Sequence, residues 1–273
     1  MMNRLIFSVL LMFVSYATPA AAQTMSEMSI NASQRVAWPQ MAGQWVMELV
    51  SLSDTPVPIV DKVTAKTFTL VLVDVEQKEN HLMLKETVCR LDTQLEMSVV
   101  QMTPSKHFTR ALSGKKRKAH LVHGAEGGFE LIINPRTIVH SARLEEPATE
   151  PLPTTPDDPR VYDADGDGHP GMTMRFSGLI IGEAYLVQRT QSHMRGQFIS
   201  PEHIKGPMTW RTEQSIVDVS NPFLQFAPKP KAGEGRSDSF FVMRKSATKK
   251  TCANASYSEQ VRLMVKDKKS LAN

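Results

Sequence analysis

Asp163, Asp165 and Asp167 stand at alternate positions in the run VYDADGDGHPGMTMRF, residues 161–176. Ca²⁺ takes about six to eight oxygen ligands, and a loop with Asp at its positions 1, 3 and 5 curls so that the carboxylates converge on one point. Gly168 then falls at position 6, where such a loop turns sharply, and His169 at position 7, where a backbone carbonyl binds. Without a cation, three carboxylates so placed would repel one another. The residue types and spacing therefore predict a Ca²⁺ site, structural rather than signalling in role. Position 9 is Gly171, and position 12, where a bidentate glutamate closes many such loops, is Met174. A further acidic ligand has to come from elsewhere: Asp157 or Asp158 on the preceding arm is the nearest source, and Glu183 a more distant one. The plain alternative is a solvated Asp/Gly turn that holds no ion.

Other chemistry finds less support. His120, His123 and His140 invite a zinc reading, but residues three apart on a strand point to opposite faces, and no H-E-x-x-H helix or cysteine pair accompanies them. There is no G-x-S-x-G elbow, and no sequence mark of a serine or aspartic protease. Glu48, Glu86, Glu96, Glu183 and Glu213 fall in expected strands, where a glutamate usually faces solvent. No catalytic residues are assigned. The two cysteines, Cys89 and Cys252, are an even count that favours one disulfide in an oxidising compartment.

The elements that must hold the acidic loop read as strands, because apolar residues alternate or come in short bursts rather than at helical spacing. Candidates are 44–52, 68–75, 81–88, 94–102, 129–133, 137–144, 173–176, 179–190, 194–199, 204–212, 215–219 and 240–245. Turn residues such as Gly114, Gly127-Gly128, Asn134-Pro135 and Gly206-Pro207 punctuate them. The expectation is an all-β chain, a single barrel or sandwich over 39–252. Within it, the segment 145–171 is a long acidic loop whose prolines at 147, 151, 153, 156 and 159 prevent regular pairing. A linker between two domains is the other reading of that composition. Residues 1–22 carry Arg4, an apolar run from Leu5 to Val14 and Ala20-Ala21-Ala22, the pattern of a secretory signal peptide. Segments 23–38 and 253–273 read as a flexible start and a flexible basic tail.

The formal net charge of +4 says little about partners. Its distribution says more, since residues 145–168 hold eight acidic side chains against the one base Arg160. The basic run Lys115-Lys116-Arg117-Lys118 reads as a solvated turn, without the aromatic interleaving of nucleic-acid surfaces. No nucleic-acid partner is expected. No later segment approaches the roughly 20 apolar residues of a spanning helix, and the strands lack the paired aromatic girdles of an outer-membrane barrel.

Gly43-Gln44-Trp45 opens a hydrophobic strand and resembles the G-x-W of lipocalin-type (calycin) barrels. That resemblance implies a barrel whose base Trp45 plugs, with an arginine of the last strand, here Arg244, packed across it. The acidic loop is similar to the D-x-D-x-D-G loops of thrombospondin type 3 and dockerin-like modules. The stretch from "PTTPDDPR" through "DADGDGHPG" to "GEAYLVQR" resembles a group of uncharacterised exported bacterial proteins, which implies a periplasmic or secreted location and no particular activity. The expected function is a non-enzymatic, exported all-β protein with a structural Ca²⁺ loop, binding an apolar ligand or an envelope partner. The alternative is a secreted hydrolase of envelope polysaccharide with carboxylates at a barrel mouth.

Overall fold

The computed structural model describes residues 37–57, 61–95, 100–105, 107–125, 127–226, 231–232 and 238–266. The expected signal peptide at 1–22, nearly all of 23–38 and the last residues of the basic tail lie outside them. The strands are β1 (Gly43–Val57), β2 (Asp61–Lys78), β3 (His81–Leu95), β4 (Val100–Pro104), β5 (Lys115–His123), β6 (Phe129–His140), β7 (Met172–Gly178), β8 (Gly182–Ser200), β9 (His203–Val219), β10 (Lys231–Ala232) and β11 (Phe240–Lys245). Two short helices, α1 (Phe108–Leu112) and α2 (Glu259–Lys266), accompany them. The chain is all-β, as its patterning predicts.

Strands β1, β2, β3, β5, β6, β8, β9 and β11 pair antiparallel in chain order, and β11 returns to β1. The ring of pairings makes an up-and-down, barrel-like sheet, closed where β11 bridges Trp45–Val50 of β1 and His203–Pro207 of β9. Strand β8 is shared lengthwise. Its first residues, Gly182–Leu186, pair with β7, and β6 takes over from Gln188 to Gln197. Strand β4 adds to the far side of β7.

Alternation sets the inside of the barrel. Val71, Val73 and Val75 on β2 point inward with Trp45, Met47, Leu84, Leu121, Leu131 and Phe241. The intervening Phe68, Leu70 and Leu72 point outward, yet they too are buried. A strand apolar on both faces must be covered on both, and here the outer cover is the C-terminal segment. Ala255, Tyr257 and Val261 pack on Val46, Val50, Phe68, Leu70 and Leu72.

The expected loose tail at 253–273 is therefore a built strap as far as Lys266. The Tyr257 hydroxyl lies 3.0 Å from both the Phe68 carbonyl and Asp92 Oδ2. Ser258 caps α2 by accepting from the Val261 N–H at 3.3 Å, and the fully buried Glu48 accepts from both the backbone N–H and the hydroxyl of Ser258. The sequence conceals this because Val261 and its neighbours form only two helical turns among lysines. Just upstream, Cys252 is bonded to Cys89, with Cα atoms 4.9 Å apart.

Candidate metal-binding loop

Two anchors bring the loop to the barrel. The proline-rich arm folds onto the outer face of β8, where Leu152 and Val161 pack with Tyr185, Val187 and Val217. Arg189 reaches out from β8 to donate to the carbonyls of Pro147 at 3.2 Å and Glu150 at 2.7 Å. The arm is thus an ordered loop of the barrel unit. Past Tyr162 the chain doubles back on itself: Ala164 N–H donates to the Gly171 carbonyl at 3.1 Å, and Gly171 N–H to the Tyr162 carbonyl at 3.2 Å. Gly171 has φ of 100°, and a Cβ there would lie 2.9 Å from the Leu186 carbonyl oxygen, so this close crossing requires glycine.

Within that turn, one carboxyl oxygen each of Asp163, Asp165 and Asp167 lie within 4.8 Å of one another. Asp163 accepts from the N–H groups of Gly166 at 2.6 Å and Gly168 at 2.9 Å. Burial pushes the Asp163 carboxyl up, but the N–H groups of Gly168 and Gly166 outweigh it and hold the group below its ordinary value. Asp167 accepts from His169 N–H at 3.1 Å. Asp165 is fully buried. Its Oδ2 accepts from the Ser105 hydroxyl at 2.7 Å and from Thr173 N–H at 3.1 Å, while its buried Oδ1 has no hydrogen-bond partner. A buried acceptor left without a donor is costly, and the groups beside it are two further carboxylates. The three could hold a metal ion.

The other expected ligands stand elsewhere. Both oxygens of Asp158 are taken by Arg160, at 2.9 and 2.6 Å, which holds its carboxyl at about 2. Asp157 is exposed, and neither belongs to the cluster. Glu183 accepts from Arg175 Nε at 2.8 Å. The His169 ring stacks on Tyr185, with centroids 4.4 Å apart. What sequence reasoning missed is the support: Ser105, 60 residues upstream at the end of β4, and Thr173 at the start of β7. Thr173 lies within the loop's own run, but only strand pairing places Ser105 there.

Compared with known proteins, the chain matches no family model, no curated protein and no solved structure.

The three candidate zinc histidines are dispersed. His120 lies outside the barrel opposite His81, in a cleft of about 720 Å³. His123 packs with Trp38 and Phe129. His140 is buried, and its Nδ1 donates to the Ala111 carbonyl at 3.2 Å. Among the described residues the only cluster of three or more metal-ligating side chains is the aspartate one.

Arg244 does not cross Trp45. It faces outward to Glu48, at 2.5 Å, and the cation over the indole is that of Lys245, 5.8 Å from the ring centroid. Register explains this, since Trp45 pairs with Lys245 and Val46 with Arg244. Trp45 belongs to the interior cluster with Met41, Met47, Val73, Phe241 and Met243.

His140 has a pH consequence. Burial, with Lys115 nearby, lowers it from 6.5 to about 4 against the opposing bond to Ala111. Its neutral form is the folded one, so in the window between those values the unfolded chain binds the extra proton. Stability from this group is fully present above pH 6.5 and is lost as pH falls toward 4. At about 1.4 kcal/mol per unit, the loss is about 3 kcal/mol. His140→Gln, which keeps a donor for Ala111, should flatten the slope of stability between pH 6.5 and 4 in urea titrations, and an unchanged slope would contradict the assignment.

Proposed function

We propose that this is an exported, non-enzymatic all-β protein in which the loop 163–171 binds one Ca²⁺ ion as a structural staple. The observation that carries the reading is Asp165, buried with one oxygen bonded and the other bare beside two more carboxylates. A hard cation satisfies that oxygen and relieves the repulsion among the three. All-oxygen donors suit Ca²⁺, and a loop open on one side tolerates its flexible geometry better than the tight octahedron of Mg²⁺. The position of the loop gives the ion its role. Through Ser105 and Thr173 the site joins the end of β4 to the start of β7, and through Tyr162 it joins both to the proline-rich arm.

Export is supported by the signal-like start of the chain and by the long-range disulfide, which suits an oxidising compartment. No helix among the described residues is long and apolar enough to cross a membrane. The test is calorimetric: the chain should take up one Ca²⁺ with measurable heat, and Asp163→Asn with Asp167→Asn should abolish that heat while the far-ultraviolet β signal stays. An unaltered heat in the double variant would place any bound ion elsewhere.

A further inference from the structure

The inner face of the barrel changes character along its length. Near the start of β1 it carries Trp45, Met47, Leu84 and Leu121, all buried. Side chains two apart share a face, so further along the same strands the inward positions become Ser51, Thr69, Glu86 and Arg117. On β8 and β9, the steps of two from Met194 and Met208 reach Thr190 and Thr212. Apart from Arg117 these six are half-buried. Strand β11 pairs with β1 only as far as Val50 and with β9 only as far as Pro207, so the ring of pairings opens beside this half and solvent reaches these side chains. The β6 irregularity at Asn134-Pro135 keeps Arg136 opposite Ser192, on the same inner face.

The lining is a ladder of hydroxyls and amides. Thr190 and Thr212 oxygens are 3.3 Å apart, and Gln214 donates to Gln188 at 2.8 Å. Below them sits an imperfect ion pair. Arg117 donates to the Ser192 hydroxyl at 3.0 Å and to the Asn134 carbonyl at 3.1 Å, but its Nε has no acceptor. Glu86 Oε1 has no donor, and Arg117 Nη1 stands 3.9 Å from it, beyond hydrogen-bond range. An unpaired donor and an unpaired acceptor side by side match a hydroxyl, which both accepts and donates. Trp210, also inward and half-buried, ties its indole N–H to Ser239 at 3.3 Å and leaves its ring for an apolar face.

We propose that the polar half of the barrel interior binds a neutral, hydroxyl-rich small molecule, a saccharide or polyol, with Glu86 accepting from and Arg117 donating to its hydroxyl groups. Glu86 stands near both Arg117 and Arg136 on this face, and its bare Oε1 disfavours an anionic group brought against it. A hydrocarbon chain would strip water from the Thr and Gln ladder without replacing its hydrogen bonds. This site is separate from the aspartate loop and does not rest on an ion there.

Amide chemical shifts of the ¹⁵N-labelled exported chain, titrated separately with cellobiose, N-acetylglucosamine, glycerol, inorganic phosphate and dodecanoate, test it. A saccharide or glycerol should produce saturable shifts at Thr69, Thr190 and Thr212 and leave residues 163–169 unmoved. Glu86→Gln should weaken that binding at least tenfold. Thr212→Val, a near-isosteric change that leaves the ion pair intact, should weaken it severalfold with the thermal midpoint retained. Saturation by phosphate or dodecanoate alone, no saturable shift with any hydroxyl-rich probe, or unchanged affinity in both variants would overturn the proposal.

Discussion

Replacing Cys89 and Cys252 together by serine should lower the stability of the folded chain by up to about 5 kcal/mol, the chain-entropy value for so long a loop. The bridge spans 163 residues of sequence, and it does more than shorten the unfolded ensemble. Cys252 precedes the strap by only a few residues, so losing the bond frees the lead into Ala255, Tyr257 and Val261. Those three cover the outward Phe68, Leu70 and Leu72 of β2. The remaining ties include Glu48 to Ser258, Tyr257 to Phe68 and Asp92, and Gln94 Nε2 to the Val265 carbonyl at 2.7 Å. Urea unfolding should show a clearly lower midpoint, with amide exchange rising first in α2 and along the outer face of β2. Superimposable curves, or two titratable thiols in the native chain, would show that the strap is held without the bond.

Trp45→Ala should cost about 3–5 kcal/mol, as large aromatic truncations in a packed core do. Trp45 is fully buried, its indole N–H donates to the Met41 carbonyl at 2.7 Å, and it stands within the interior cluster to which β1, β2, β3, β5, β6, β8, β9 and β11 all contribute. Truncation leaves a void among neighbours fixed by strand pairing, so little collapse can relieve it. Lys245→Ala, which removes the cation above the ring and its 2.7 Å donation to the Gln40 carbonyl, should cost only about 1 kcal/mol, since both are solvent-exposed contacts of small net worth. A loss below about 1 kcal/mol for Trp45→Ala would show that the barrel base does not depend on this plug.

The strands that alternate cleanly were legible: 44–52, 81–88 and 204–212 fall within β1, β3 and β9. Where sequence reading failed, competing local signals were the cause. Asn134-Pro135 has the composition of a turn, but in β6 it forms an irregularity that the strand runs through. Lys115-Lys116-Arg117-Lys118 has the composition of a solvated turn, yet it begins β5. There Lys116 and Lys118 point to solvent, and Arg117 points inward to Glu86 and Ser192. Alternation was present, but four consecutive charges hid it. The aspartate triad was legible because its spacing is local. The environment of Asp165 was not, because Ser105 arrives through β4–β7 pairing, a contact that no local pattern records. For the same reason the arm's acids could be named but not placed: Asp158 is spent on Arg160, two residues away.

Calcium itself is tested most directly by thermal melts of the chain in millimolar Ca²⁺ and in excess chelator. The folded chain alone offers the assembled aspartates, so Ca²⁺ at about 100 times its dissociation constant should add about 2.7 kcal/mol, raising the midpoint, with Mg²⁺ giving a much smaller shift. Identical melts in Ca²⁺ and chelator, together with no heat of binding, would contradict the account and leave Asp163, Asp165 and Asp167 as a turn that holds no ion.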